Sequence, residues 1–353
     1  MTPLNVLVID DSAVVRQVMT AVLGSTMAVT TAADPLIAMT KMETRLPDVI
    51  VLDLEMPRMD GLTFLRKLMA ETPLPVVVCS SFAEASSELT MRALQLGAID
   101  VVLKPKVRVG ERLTDSAIAL VDTVRAAAQA RVGRTRSRAA SEEGHARLTL
   151  APVAGSARAT IPQVIAIGAS TGGTEVLKHL LDAMPADAPP IVIVQHMPEQ
   201  FTAAFARRLN ETSAMSVREA APGDVLRRGT ALIAPGDRHM TLARRGRDSI
   251  GIALHDTPLF NRHRPSVDVL FSSVARTLGN AAAGVLLTGM GRDGAQGLLK
   301  MRQAGALTVA QDEASSVVFG MPRVAIEIGA AAKVLPADLI AAALLRAAQG
   351  DND

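Results

Sequence analysis

Three residues far apart in the chain carry the side chains needed for nucleophilic acyl chemistry. Ser170 lies in "VIAIGASTGGTEVLKHLL", which reads as an apolar strand, a glycine turn and a helix; Gly168-x-Ser170-x-Gly172 has the spacing of a nucleophile elbow. Flanking glycines let the backbone turn sharply. The N-terminus of the helix behind Ser170 has unpaired N–H groups that can face an oxyanion. A glycine turn that opens a helix also cradles phosphate, so this motif alone leaves both chemistries open. His196 ends the next apolar run, "IVIVQHMPEQF". If the two strands are neighbours, its imidazole can take the serine proton. Asp293, inside "GVLLTGMGRDGAQGLLKMRQAG", would orient that imidazole and stabilise it once charged.

Two other readings compete for these residues. Gly289, Gly291 and Gly294 fit a dinucleotide-binding fingerprint, and Asp312 follows about where a ribose-binding acid belongs. In that reading Asp293 would set a negative charge beside a pyrophosphate. An ordinary α/β-hydrolase runs Ser, acid, His, and no histidine follows Asp293. That order would need Asp237 with His239, His255 or His263, all in a region of shorter strands.

A second set of residues suggests phosphoryl chemistry. Asp10 and Asp11 end the first apolar strand and Asp53 ends the third, neighbours at the switch point of a five-stranded doubly wound sheet. Like charges that close repel, so the cluster calls for a cation, and hard oxygen ligands suit Mg²⁺. Ser80 ends the fourth strand and Lys104, before Pro105, the fifth. A hydroxyl and an ammonium facing one carboxylate make a site for a phosphoryl group on Asp53.

The elements that must position these residues are short apolar strands alternating with helical patterns, the signature of parallel α/β architecture. Residues 1–124 hold five strand–helix units. Residues 161–350 form a second doubly wound unit, and the alternating strands of 216–255 ("SVREA", "GTALIAP", "HMTLA", "IGIAL") suggest an antiparallel excursion within it. Residues 125–160 between them are rich in Ala, Arg, Ser and Gly and read as a flexible basic linker. The linker has seven Arg and two Glu, a net +5; the whole chain carries +2, leaving −3 for the rest. The basic charge is thus local. With no Trp, no Tyr and only 7 Phe for base stacking, a nucleic-acid binder is not expected. No apolar run reaches the length of a membrane span, and "MTPLNVLVIDD" enters a strand at once, so neither membrane insertion nor a signal peptide is expected. The single cysteine, Cys79, sits in an apolar run and leaves no intrachain disulfide, in keeping with a reducing cytoplasm.

The cluster Asp10, Asp11, Asp53, Ser80 and Lys104 resembles the receiver domain of two-component response regulators. The resemblance implies that Asp53 accepts phosphate from a histidine kinase, that Asp10, Asp11, Asp53 and the Glu55 backbone carbonyl hold Mg²⁺, and that Ser80 and Lys104 bind and sense the phosphoryl group. Val101 stands where many receivers carry a switching aromatic. Behind the receiver, "GASTGG", "VQHMP" and "LLTGMGRDGA" follow in order. With the receiver they resemble the chemotaxis response regulator protein-glutamate methylesterase/glutamine deamidase family over the whole chain apart from the linker. That resemblance implies Ser170 as nucleophile, His196 as general base and acid, Asp293 as orienting acid, and backbone N–H groups at Thr171 and Met290 around the oxyanion. No cofactor is implied for the second domain. The implied substrates are glutamyl methyl esters and glutamines on methyl-accepting chemoreceptors, under control of the phosphorylated receiver. A dinucleotide-binding sensor, a DNA-binding regulator and a purely scaffolding relative are the rival classes.

Overall fold

A computed structural model describes residues 3–81, 85–105, 115–130, 163–246 and 249–350. The chain divides into two compact units, Met1–Arg136 and Ser137–Asp353. Most of the expected linker, residues 131–160, lies outside the described residues; its first residues continue a helix and a turn. Among the described residues no helix is long and apolar enough to cross a membrane.

Among its described residues the first unit alternates strands and helices: β1 Asn5–Ile9, α1 Ala13–Leu23, β2 Ala28–Ala32, α2 Pro35–Thr44, β3 Val49–Leu52, α3 Gly61–Glu71, β4 Val76–Ser80, α4 Ala85–Gln95, β5 Asp100–Leu103 and α5 Asp115–Ala127. The sheet order is β2-β1-β3-β4-β5, and every pairing is parallel. Helices on both faces bury the strands on both sides, which is why β3 reads as the unbroken apolar run VIVL and is buried throughout. The order reverses between β1 and β3, so their carboxyl ends open a crevice. Cys79 packs in this core, and its thiol is pushed up by burial.

The second unit comprises β6 Val164–Ala169, α6 Gly173–Asp182, β7 Ile191–Gln195, α7 Glu199–Asn210, β8 Ser216–Glu219, β9 Thr230–Ile233, β10 His239–Arg245, β11 Ser249–His255, α8 Val267–Leu278, β12 Ala282–Leu286, α9 Ala295–Gln303, β13 Leu307–Gln311, α10 Met321–Glu327, β14 Lys333–Leu335 and α11 Ala337–Ala348. Seven strands form one parallel sheet in the order β14-β13-β12-β6-β7-β9-β8. The antiparallel excursion is smaller than the sequence suggests. Among the named strands of the described residues only β10 and β11 pair antiparallel, while β8 and β9 lie parallel at the edge of the main sheet. Period-two alternation marks a half-covered strand but not its direction. Here residues 220–229 carry the chain back to the starting edge, as a parallel pairing requires. The core under this sheet is closed by α8, whose Val267, Leu270, Phe271 and Val274 are fully buried.

Candidate active site

The strand order β12-β6-β7 places three loops side by side at one carboxyl edge. Ser170 follows β6, His196 follows β7, and residues 288–293 follow β12. Backbone bonds continue beyond the strands and hold these loops in register: His196 N to Ala169 O at 3.0 Å, Leu287 N to Gly168 O at 2.9 Å and Ser170 N to Thr288 O at 3.0 Å. His196 Nε2 lies 2.9 Å from Asp293 Oδ2. The two residues belong to strands on either side of β6, roughly 10 Å apart given a strand spacing of about 4.8 Å. The imidazole therefore reaches across the carboxyl end of the strand that carries Ser170. Its other nitrogen, Nδ1, is buried and has no hydrogen-bond partner among the described residues.

Asp293 is 1% exposed and heavily bonded. Its Oδ2 also accepts from Val267 N at 2.7 Å; its Oδ1 accepts from Ser266 Oγ at 2.8 Å, Asn261 Nδ2 at 2.9 Å and Asp268 N at 3.4 Å. Val267 and Asp268 are the first residues of α8 and Ser266 is its cap, so a helix N-terminus points at the carboxylate. Burial alone would raise its pKa, but the bond and charge of His196 and the donors Asn261 and Ser266 outweigh it and hold the carboxyl below the usual range. The His263 ring stacks on His196, with centroids 3.7 Å apart and planes 8° from parallel. Burial, then the neighbouring His196, pushes His263 down to about 3, so this ring is neutral.

The elbow glycines answer to packing. Gly172 has φ +76°, and a Cβ there would meet Val317 Cβ at 2.4 Å; one on Gly168 would meet Val267 Cγ1 at 2.2 Å. Gln195, 1% exposed, donates its amide to Ser170 O at 2.9 Å and His196 O at 3.2 Å, tying the two main chains together. Thr288 Oγ1 donates to Thr171 O at 3.0 Å. Among the described residues, the backbone N–H groups of Thr171 and Met290 donate to no protein group. Sequence reading missed Gln195, Asn261 and Ser266 as site residues. Ser266 had a signal, a serine directly before an apolar helix; the two amides had none.

The dinucleotide pattern fares differently. A Cβ on Gly289 would sit 2.6 Å from Ser170 Cβ, and one on Gly294 would meet Leu286 Cδ1 and Val267 Cγ1, both at 2.6 Å; only Gly291 is open. In that fingerprint only the second glycine must face a pyrophosphate, and Gly291 is open; what sets this turn apart is Gly289 pressed against Ser170 and Asp293 bonded to His196. Asp312 accepts from its own turn, from Ser315 N at 2.9 Å and Ser315 Oγ at 2.6 Å. Asp237 pairs with Arg264, and His239 is fixed between Ser266 N and Pro258 O, so these two do not form an acid–histidine pair. His255 pairs with Thr241.

In the first unit, ligand atoms of Asp10, Asp11 and Asp53 all lie within 4.8 Å of one another. Lys104 Nζ donates to Asp53 Oδ2 at 2.7 Å and lies 2.8 Å from Asp10 Oδ2. The second contact is an ion pair without hydrogen-bond geometry, so Asp10 Oδ2 is a buried carboxylate oxygen with no hydrogen bond. A hard cation beside Asp11 would satisfy it, and the all-oxygen donor set fits Mg²⁺. Burial raises the Asp53 pKa against the opposing Lys104. Lys104 is desolvated too, yet the adjoining carboxylates of Asp10 and Asp53 hold it above its usual range. Glu55 N donates to Asp53 Oδ1 at 3.3 Å. Ser80 is buried at the end of β4, where its hydroxyl accepts from Thr90 at 3.3 Å. Val101 is buried in β5, with no ring to rotate.

Two family models match the chain, CheB methylesterase over residues 165–344 and response regulator receiver domain over residues 6–113. The chain is 54% identical to protein-glutamate methylesterase/protein-glutamine glutaminase 5 of Anaeromyxobacter dehalogenans, over 98% of this chain and 96% of that one. It is 52% identical to protein-glutamate methylesterase/protein-glutamine glutaminase 2 of Rhodospirillum rubrum, over 98% of each. It is also similar to the solved CheB methylesterase catalytic domain of Thermotoga maritima, with 39% identity and a TM-score of 0.51 over 52% of this chain and 98% of that one.

Proposed function

The chain belongs to the CheB methylesterase family, and on that premise we propose that it is a phosphorylation-activated protein-glutamate methylesterase and protein-glutamine deamidase working through Ser170, His196 and Asp293. The substrates are glutamyl methyl esters and glutamines on methyl-accepting chemoreceptors, met in the cytoplasm. The observation that carries this reading is the His196–Asp293 pair spanning the strand end that presents Ser170.

Asp293 holds the Nε2–H of His196, which leaves Nδ1 as the basic nitrogen. Nδ1 takes the Ser170 proton as Oγ attacks the ester carbonyl. The tetrahedral oxyanion is met by the N–H groups of Thr171, in the turn before α6, and Met290, in the 288–293 turn. As the C–O bond breaks, His196 returns the proton to the methoxide oxygen and methanol leaves a glutamyl ester on Ser170. Water then attacks, its proton passing to Nδ1 and on to Ser170 Oγ, and glutamate is released. A glutamine follows the same course with ammonia as leaving group. Throughout, the depressed Asp293 carboxyl stays ionised and stabilises the imidazolium.

In the receiver, Asp53 accepts a phosphoryl group from a chemotaxis histidine kinase. Asp10, Asp11, Asp53 and the Glu55 carbonyl would hold Mg²⁺, which when bound offsets charge on the incoming group. Lys104, kept protonated between Asp10 and Asp53, pairs with the added phosphoryl oxygens, and Ser80 senses them. A fluorophosphonate, attacked at phosphorus by an activated serine hydroxyl with loss of fluoride, tests the site. It is expected to label Ser170 in the wild type and to fail in His196→Ala. An active enzyme left unlabelled at Ser170 would refute the mechanism.

A further inference from the structure

Residues 260–263 form a tight hairpin turn beside the acid and the base. Phe260 and His263 exchange both backbone bonds, Phe260 N to His263 O at 3.1 Å and His263 N to Phe260 O at 2.9 Å. The two residues between them, Asn261 and Arg262, have φ of 50° and 68°. Left-handed backbone at both central positions is the type I′ turn. Asn tolerates that region, whereas Arg does so at a cost. The turn is not a relaxed connection.

What the turn presents explains its shape. Asn261 Nδ2 donates to Asp293 Oδ1 at 2.9 Å and to Asp268 Oδ2 at 2.7 Å. One amide NH₂ thus spends its two hydrogens on two carboxylates that are 1% and 3% exposed. Asp268 is further held by Gly297 N. Burial raises its pKa, and the nearby Asp293 charge raises it too. At the other end of the same turn, His263 stacks on His196.

We propose that Asn261 is a positioning residue for the reaction: by bridging Asp268 and Asp293 it fixes the rotation of the Asp293 carboxylate, so that Oδ2 stays on His196 Nε2 and Asp268 does not become a competing partner. Asn261 does not touch the substrate. The proposal rests on the reading of Ser170, His196 and Asp293 as the catalytic set. Without the bridging amide, Asp293 Oδ1 keeps Ser266 Oγ and Asp268 N but loses the one donor it shares with Asp268 Oδ2. Two buried like charges that lose a shared donor repel more strongly, and taking up one proton relieves that repulsion. A proton on that pair weakens the charge that Asp293 offers to His196.

Two variants of the full-length protein separate the amide from the turn. Asn261→Gly keeps a residue that favours φ > 0 and deletes the amide; Asn261→Asp keeps the shape and replaces the donor by a third carboxylate. Each is assayed for methanol release from a methylated receptor fragment. In each, the downfield proton NMR signal of the His196 Nε2–H, assigned with ¹⁵N-histidine, is followed. We expect kcat to fall roughly ten- to a hundredfold with KM within about twofold, more in Asn261→Asp, and the Nε2–H signal to shift or broaden in both. A merely structural role would lower the folded fraction and leave that signal unmoved in the molecules that remain folded. If Asn261→Gly keeps wild-type kcat and an unchanged signal, the proposal is overturned while the serine mechanism stands. If wild type itself releases no methanol, the reading beneath it fails, and a moved signal in the variants still shows that Asn261 holds Asp293.

Discussion

His196 and Asp293 meet 2.9 Å apart across a strand that belongs to neither of them. Because β6 lies between β7 and β12, the imidazole must point its far nitrogen, Nε2, at the acid. The nearer nitrogen, Nδ1, is buried and makes no hydrogen bond among the described residues, so it is the nitrogen free to act as base. Many serine hydrolases use the two nitrogens the other way round. The neutral enzyme should therefore carry His196 as the Nε2–H tautomer. Nitrogen-15 shifts of labelled histidine give the answer, and an Nδ1–H tautomer would contradict the assignment of the base.

Asp293→Asn keeps the shape of the acid and removes its charge. The asparagine amide can also turn its donor toward Nε2 and force the proton to Nδ1. We expect kcat to fall by about 10³–10⁴ with little change in KM. A loss of less than tenfold would mean that Asp293 is no more than a buried structural anion.

Gly289 is needed by Ser170, not by a nucleotide. A methyl group there would lie 2.6 Å from Ser170 Cβ and 2.5 Å from Met321 Sδ, so the serine must move. Gly289→Ala should lower kcat by about 10- to 100-fold, since displacements near 1 Å cost that much. Titration of the wild type with NAD or NADP by calorimetry is expected to give no heat of binding. A nucleotide that binds, with Gly289→Ala fully active, would revive the dinucleotide reading.

His263 predicts a pH dependence of stability. Its folded pKa, about 3, is below the unfolded value near 6.5. Above pH 6.5 both states are neutral and the group contributes nothing. Below pH 6.5 the unfolded chain binds a proton that the folded chain refuses, so stability falls by up to about 1.4 kcal/mol per pH unit until pH nears the folded value. His196 and Arg262 oppose the proton and Asp293 favours it. Calorimetric midpoints measured from pH 7 to pH 4 should drop more steeply for wild type than for His263→Gln. Parallel curves would show that the stacked ring is protonated in the folded state.

Phosphorylation control is tested at Asp53. Asp53→Asn should respond to neither the kinase nor a small phosphodonor with Mg²⁺, and its methanol release should stay at the unstimulated rate. A variant still stimulated by phosphodonor would place the switch elsewhere.

Much of this was legible because the chemistry sits at strand ends. Asp10, Asp53, Ser80, Lys104, Ser170 and His196 each close an apolar run, and parallel sheets bring such ends to one edge. Asp293 was harder, since its glycine turn fits two chemistries. What separates them is the placement of Gly289 against Ser170 and of Asp293 on His196, which only the folded chain shows. The direction of β8 and β9 was hidden because alternation reports burial and says nothing of polarity. Asn261 and Gln195 were invisible, because a lone amide acquires its meaning from partners 32 and 25 residues away in sequence.

The most direct test is methanol release from a methylated chemoreceptor cytoplasmic fragment. Wild type and Ser170→Ala are compared side by side, with and without phosphodonor and Mg²⁺. The account predicts release by wild type that rises with phosphorylation of Asp53, and a loss of about 10⁴ or more in Ser170→Ala under every condition. Undiminished release by Ser170→Ala, or none by wild type carrying confirmed phosphate on Asp53, would contradict it.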